Sequence, residues 1–449
     1  MALAGRSTPP DRPVAHVAEP QDEGQVLAKI RRRLIPFMFL LYIVSYVDRV
    51  NVGFAALQMN TDLGLSASVF GLGSGIFFIG YFLFEVPSNL IMERIGARLW
   101  IARIMVSWGL VSAAMMFMKG PASFYALRFL LGLAEAGFFP GMILYLTYWF
   151  PRRDHARAIA LFMTANATAG VVGGPISGAL LTMHGLGGLA GWQWLFLLEG
   201  LPAVALGLVT LAYLPDGPQE AAWLSDQERQ WLKARLAADR TAHSHTASHK
   251  LAVRQVFSDR RVWGFCVLYF LIVLGLYSIS FWLPQILKGL SGGSDFLVGI
   301  LSALPYIVAA VGMVWIGRHS DRHQERRWHV AGPALLAAFG FVLSTQTQVP
   351  ALALVSISLA ALGIWGSLGP FWAMSTSVLT GSTAAAGIAW INSVGNLAGF
   401  VGPYVVGLLK DATGGFGTAM VALALFLMLA AIIALRQPEP VQLSQAPGI

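Results

Sequence analysis

Two acids and two arginines stand inside stretches that are otherwise apolar. Asp48 and Arg49 are adjacent in Ser45-Tyr46-Val47-Asp48-Arg49, and Arg128 and Glu135 open and close Arg128-Phe129-Leu130-Leu131-Gly132-Leu133-Ala134-Glu135. A charge at the middle of a membrane span costs about 2.5–3.5 kcal/mol even on lenient insertion scales, so each of these needs a compensating role. An arginine fork donates two parallel hydrogen bonds and keeps its proton, which suits the binding of a carboxylate. A carboxyl group in a dry setting suits proton coupling, because burial disfavours a lone charge. Arg128 and Glu135 are two helical turns apart and share one face, so both can point into the same cavity. Asp48 and Arg49 lie about 100° apart around their helix and cannot share a partner. One arrangement pairs Asp48 with Arg128 across helices, leaving Arg49 for an incoming carboxylate and Glu135 as the proton carrier. The alternative is a closed ion-pair lattice with no ligand role.

Uncharged candidates surround these four. Tyr46 and Tyr81 in the first half, Asn166 in the fifth span, Tyr277 in the seventh, Trp372 and Ser375 in the tenth, and Asn392 and Asn396 in the eleventh have the types to line a central cavity. Aromatic rings would stack on an apolar ligand face, and amides or hydroxyls would fix its polar groups. Hydrogen bonding from helix to helix is the competing role for each. Glu85 and Glu199 also lie in spans, nearer the helix ends, and read as structural.

The elements that must position these residues follow from composition. Of 449 residues, 56% are hydrophobic and 12% charged, which cannot clothe a water-soluble surface. Apolar stretches of the length a bilayer demands recur at 34–56, 68–91, 98–118, 122–146, 156–182, 192–214, 261–287, 296–317, 329–347, 351–378, 384–408 and 416–436. All should be helices, because lipid offers backbone groups no partner. Residues 1–28 are polar and Pro-rich, unlike a cleavable signal, so the first span is expected to act as an uncleaved one.

A net charge of +8 raises nucleic acid as a partner, but the cations sit in alternate loops: Lys29 and Arg31–Arg33, Arg94 and Arg98, Arg152, Arg153 and Arg157, then Arg318, Arg322, Arg326 and Arg327. That alternation is the positive-inside pattern and places both termini in the cytoplasm. The hydrophilic stretch between the sixth and seventh spans reads as a linker. Within it Ser225-Asp226-Gln227-Glu228 has capping-box spacing ahead of Trp231, Leu232 and Leu236, so a short amphipathic helix is expected. The tract with His243, His245 and His249 reads as an exposed polar linker rather than a metal site. The single cysteine, Cys266, excludes disulfides and cysteine clusters. Gly71-x-Gly73-x-Gly75 has no preceding strand and reads as close helix packing, not a dinucleotide loop. No Walker loop, paired metal histidines or nucleophile elbow is found, which weighs against an ATP-driven pump or a hydrolase.

An internal repeat organises the chain. Asn89-x-x-x-Glu93-Arg94-x-Gly96-x-Arg98 is matched by Gly317-x-x-x-Asp321-Arg322 with Arg326-Arg327, and Gly174-Pro175 by Gly402-Pro403. The offset is 228 residues in both cases, Glu93 to Asp321 and Pro175 to Pro403. The acidic-Arg loop resembles the signature of the major facilitator superfamily, with Asn89 and Glu93 departing from its usual Gly and Asp. That resemblance implies an all-α fold of twelve transmembrane helices in two pseudo-symmetric six-helix bundles, with Glu93, Arg94, Asp321 and Arg322 as a gating latch. It also implies rocking of the halves about a central site. The boundaries expected are a cytoplasmic tail over 1–33, bundles over 34–214 and 261–436, a cytoplasmic linker over 215–260 and a second tail over 437–449.

The stretches Ser45–Gly53, Glu85-Val86-Pro87-Ser88-Asn89-Leu90 and Arg128–Gly141, with Trp149-Phe150-Pro151 and Leu198-Glu199-Gly200, are similar to the anion:cation symporter family. What the resemblance implies is proton-coupled symport of a small organic anion such as tartrate, a sugar acid or an aromatic acid, by a monomer in the bacterial inner membrane. No cofactor, metal or nucleic acid is called for. Protonation would fall to Asp48 and Glu135, and substrate binding or ion pairing to Arg49 and Arg128. The rival expectations are a transport-inactive sensor on the same fold, or an exporter of drugs or neutral solutes.

Overall fold

The computed structural model of the chain describes residues 23–241, 257–379 and 383–437, so His243, His245 and His249 lie outside the described residues. Every regular element among them is helical. The first half runs α1 (Glu23–Val50), α2 (Val52–Asp62), α3 (Ala67–Ile95), α4 (Ala97–Ala114), α5 (Pro121–Glu135), α6 (Phe138–Thr147), α7 (Arg152–Leu181) and α8 (Gly191–Tyr213). A linker helix, α9 (Asp226–Thr241), precedes α10 (Arg260–Ser291), α11 (Asp295–His323), α12 (Arg327–Thr345), α13 (Pro350–Val378), α14 (Thr383–Asn396), α15 (Ala398–Thr413) and α16 (Gly417–Arg436).

With α1–α2, α5–α6 and α14–α15 each forming one broken span, these make twelve transmembrane helices in two six-helix bundles. Ten of the spans meet the length and hydropathy of a membrane crossing as continuous stretches; the fifth, α7, and the eleventh, α14–α15, complete the set. The fourth span breaks at Ala136-Gly137, where Gly137 takes φ +85° against the Ser88 side chain. The eleventh breaks at Leu397, directly after Asn396, and not at Pro403, which sits inside α15. The first helix is already formed at Glu23, ahead of the expected 34, because Val26, Ile30 and Leu34 continue a buried stripe at four-residue spacing into the polar segment. The repeat survives folding: α3 and α11 start 228 residues apart, Ala67 to Asp295, and end 228 apart, Ile95 to His323.

The halves join chiefly along two pairs of helices, α3 with α15 and α7 with α11, while α2 also packs on α10. Both contacts are made possible by glycine. A Cβ on Gly71 would collide with the Pro403 carbonyl, and one on Gly75 would lie 2.6 Å from the Phe400 carbonyl oxygen. Across the other seam a Cβ on Gly174 would lie 2.6 Å from the Gly299 carbonyl oxygen. Close backbone approach of this kind is how helices associate where lipid removes the hydrophobic drive.

Hydrogen bonds across the seam gather at the end away from the termini. Asp411 on α15 accepts from the backbone N–H groups of Ala67 and Ser68, at 3.0 and 2.8 Å, and so satisfies the first turn of α3. Gln58 donates to Asp295 at 2.8 Å, and Lys288 pairs with the same carboxylate at 2.7 Å. At the opposite end the signature residues do not bridge the halves. Asp321 pairs with Arg326 of its own half at 2.7 Å, and Glu93, Arg94, Asp321 and Arg322 are all exposed.

The linker helix forms as its sequence predicts. The Ser225 N–H donates to Glu228 at 2.7 Å, and the Glu228 N–H donates to the Ser225 hydroxyl at 3.2 Å, a reciprocal cap. Trp231 and Leu232 are buried, and Trp223 stacks on Trp149 of the first half with centroids 5.6 Å apart. Lys29 of α1 pairs with Glu228 at 2.8 Å. Burial opposes the Glu228 charge, but the hydrogen bonds from Lys29 and Ser225 outweigh it and hold this carboxyl below its ordinary value.

Candidate functional site

All four in-span charges face the protein interior. Arg128 and Glu135 are fully buried, Asp48 is 1% exposed and Arg49 8%, so none is turned toward lipid. Their pairing differs from the arrangement expected across the first and fourth spans. Arg49, not Arg128, meets an acid: its guanidinium forms an ion pair with Glu135 Oε1, which also accepts from the Ser45 hydroxyl at 3.0 Å. Asp48 does not pair with Arg128. It turns to the other side of α1, where it accepts from Trp108 Nε1 at 2.7 Å, Ser112 Oγ at 2.9 Å and Asn51 Nδ2 at 3.2 Å. The cause is the 100° step between neighbours on one helix, which sends Asp48 toward α4 and Arg49 toward α5.

Arg128 is held by main chain and rings. Its Nη2 donates to the Ser74 carbonyl at 3.0 Å and Nε to the Gly73 carbonyl at 3.4 Å, while Nη1 has no protein partner. Its guanidinium carbon stands 5.0 Å from the Phe77 centroid and 5.8 Å from that of Phe281 on α10. The Arg49 guanidinium carbon lies 5.5 Å from Phe77 and 5.3 Å from Tyr81. Phe77 is thus flanked by both cations, a placement worth about 0.5–2 kcal/mol per ring contact. Arg49 Nε and Glu135 Oε2 are likewise buried without partners. The site therefore keeps unused donors on both arginines and an unused acceptor on the acid.

The second half closes the site with aromatic side chains. Tyr277 reaches Arg49 and packs tilted against Phe78 with centroids 4.3 Å apart. Tyr46 is buried with its hydroxyl unpartnered, and Tyr306 packs edge-on against Trp365 with centroids 5.5 Å apart. Asn166 bridges the halves: its Nδ2 donates to the Tyr42 hydroxyl and its Oδ1 accepts from Trp365 Nε1, both at 3.4 Å. Of the sequence-derived candidates, Tyr81 and Tyr277 gather at Arg49, Asn166 lies between Tyr42 and Trp365, and Tyr46 clusters with Val47, Val50 and Ala169. Trp372 packs instead on Tyr269 and Phe371, and Ser375 donates to the Trp372 carbonyl of its own helix at 3.1 Å. Asn392 and Asn396 are half-buried on α14. Their placement gives these four no contact that ties them to the ion pair.

Sequence reasoning passed over the residues that hold the charges: Asn51, Trp108, Ser112, Ser45 and Phe77. A signal was present for two of them, since Trp108 and Ser112 stand four apart on one face of an apolar span.

Two like-folded bundles that enclose buried charges and close at one end have the architecture of a secondary transporter. The sequence profile of the Major Facilitator Superfamily matches residues 38–403, and the chain belongs to that family. It is 52% identical over 413 residues to a protein of Agrobacterium vitis named "Putative tartrate transporter", covering 92% of this chain and 94% of that one. It is 43% identical to a "Quinolone resistance transporter" of Acinetobacter baumannii, over 92% and 94% of the two chains. Among solved structures, a bacterial homologue of the human lysosomal transporter Spinster, inward-facing and unoccupied, superposes with a TM-score of 0.78 at 16% identity, over 92% of this chain and 97% of that one. That likeness shows the fold alone.

Proposed function

We propose that the chain is a proton-coupled symporter that carries a small organic anion, a carboxylate of the tartrate, sugar-acid or aromatic-acid kind, into a bacterial cell by alternating access. The observation that carries this reading is the buried Arg49–Glu135 pair, set among tyrosines of both halves and beside Arg128, whose Nη1 is unused. The tartrate transporter name of a relative identical at half its positions supports the ligand class. Coupling then has a direct physical form. While Glu135 is charged it occupies Arg49; once a proton neutralises Glu135, the guanidinium fork is released to the substrate carboxylate. Substrate and proton thus load together, because the substrate carboxylate and charged Glu135 compete for one cation and the proton removes the competitor.

In this reading both termini are cytoplasmic in the inner membrane, with 1–33 and 437–449 as tails and 215–260 as a linker, and the protein acts as a monomer. The closed end at Asp411 and Asp295 is then the periplasmic gate, and the exposed Glu93, Arg94, Asp321 and Arg322 form the latch of the opposite conformation. Asp48 is a second proton-linked group; Tyr46, Tyr81, Asn166 and Tyr277 line the substrate, with Trp372, Ser375, Asn392 and Asn396 joining when the second half rocks. The test is uptake of tartrate, a sugar acid and an aromatic acid into proteoliposomes with an imposed pH gradient. Accumulation abolished by a protonophore is expected; accumulation indifferent to it sinks the proton role.

Export of a drug is a second reading, favoured by the relative from A. baumannii. Competition assays decide between them: a symporter of anions is displaced by carboxylates and not by their uncharged amides.

A further inference from the structure

Glu85 of α3 is a buried acid that the Arg49–Glu135 pair leaves out. It is 6% exposed, its Oε2 has no hydrogen-bond partner, and no ion pair forms at its carboxyl among the described residues. A dry, unpartnered carboxyl weakens a fold rather than holding it together. Its place is set by the packing of α3 on the fourth span. The two run side by side in the same direction: a Cβ on Gly73 would strike the Phe124 ring, and one on Gly80 would lie 3.0 Å from Leu133 N. Further along, a Cβ on Gly137 would strike the Ser88 side chain, and one on Gly141 would lie 3.1 Å from Met92 Sδ. Glu85 falls between the Gly80 and Ser88 contacts, and so stands level with the stretch from Leu133 to Gly137, which holds Glu135.

Side chains on a helix lean back over the preceding turn, so Glu85 lies over the turn of Tyr81. The Tyr81 ring centroid is 5.3 Å from the Arg49 guanidinium carbon, and Arg49 is the charged group that acts on Glu85. In the second half Tyr269 and Tyr277 of α10 feel the Glu85 charge. Two acids on neighbouring helices thus flank one arginine, and Glu135 holds it. They differ in access to water, since Glu135 is fully buried and Glu85 is not. Helix α3 starts at the end where Asp411 closes the seam and runs to the opposite end, so Glu85, one turn past Tyr81, lies on the unclosed side of Arg49.

We infer that Glu85 is the acid through which the transported proton leaves. Once the substrate has departed, the proton passes from Glu135 to the Glu85 carboxylate, and from Glu85 to water on the side of the termini. The transfer balances: the O–H bond on Glu135 breaks, one forms on Glu85 Oε2, whose lone pairs no protein group occupies, and the Glu135 carboxylate takes back the Arg49 guanidinium. That regained ion pair favours the step, and a proton left on Glu135 would have no route of its own, because that carboxyl touches no solvent. The inference rests on the proton-coupled reading and supplies its exit.

Flux assays on the full-length protein in proteoliposomes, with tartrate as the probe, test this. Exchange of labelled for unlabelled substrate returns the carrier loaded and needs no proton release, whereas net uptake does. Glu85→Gln should therefore lower uptake driven by a pH gradient by about a hundredfold, the lower end of what a positioned proton-transfer group contributes, and leave exchange at the wild-type rate. Unlike Glu135→Gln, it should also leave the pH profile of anion affinity unchanged, because Arg49 keeps its acid. Glu85→Asp, which retains a carboxyl, should recover part of the net uptake. Net uptake by Glu85→Gln at the wild-type rate, loss of exchange in the same proportion as uptake, or equal loss in the Gln and Asp variants overturns the inference and leaves the symport reading standing. Wild-type uptake that ignores an imposed pH gradient would instead sink the symport reading, and this inference with it.

Discussion

Glu135→Gln separates binding from coupling. In the wild type the substrate carboxylate must displace Glu135 from Arg49, and a hydrogen bond to a charged group is worth about 1.5–3 kcal/mol net. The Gln side chain keeps the size and the contact with Ser45 Oγ but surrenders the charge that holds Arg49. Anion affinity at alkaline pH should therefore rise by about tenfold to a hundredfold, each tenfold being 1.4 kcal/mol, and its dependence on pH should flatten. Against this runs the loss of a buried ion pair, which costs about 3–5 kcal/mol when one partner is removed and should lower the melting temperature of the empty protein, with recovery on adding substrate. Calorimetric titration across pH and thermal shift measure both. In proteoliposomes the variant should retain counterflow of labelled substrate but lose accumulation driven by a pH gradient. If Glu135→Gln still concentrates substrate against its gradient, the exchange of Arg49 between acid and substrate is not the coupling step.

Trp108→Phe removes one of three donors to Asp48 and should destabilise the fold by about 1.5–3 kcal/mol, read as a lower melting temperature; an unchanged value would show that Asp48 does not depend on this bond. Gly75→Leu places a side chain where a Cβ already lies 2.6 Å from the Phe400 carbonyl oxygen, so the far end cannot close. Transport should be lost with the fold intact, read by uptake beside a melting curve; full activity would contradict the seam. Lys29→Ala removes a pair whose side chains are 45% and 19% exposed, so its effect on stability should stay below about 1 kcal/mol. Because the Glu228 carboxyl is held below its ordinary value, that small contribution is present above the unfolded-state pKa near 4.3 and fades as pH falls through the lower folded value, which a pH series of melting curves with and without Lys29 will resolve. Deleting His243–His249 should leave uptake unchanged; loss of uptake would point to an output role for the linker.

Amino-acid order alone specifies the spans, since bilayer thickness sets their length and lipid forbids any other backbone state. It determined the repeat, which α3 and α11 reproduce at 228 residues from end to end, and the linker cap, which needs only four consecutive residues. It also determined that Asp48, Arg49, Arg128 and Glu135 must turn inward, because their charge has no other tolerable place. Which of them meets which was decided by the tertiary structure. Periodicity puts Asp48 and Arg49 on different sides of α1 but does not say that α4 brings Trp108 and Ser112 to one side while α5 brings Glu135 to the other. Pairing between helices depends on their relative rotation and depth, and those are fixed only when glycine seams such as Gly71 on Pro403 and Gly174 on Gly299 lock the bundles together.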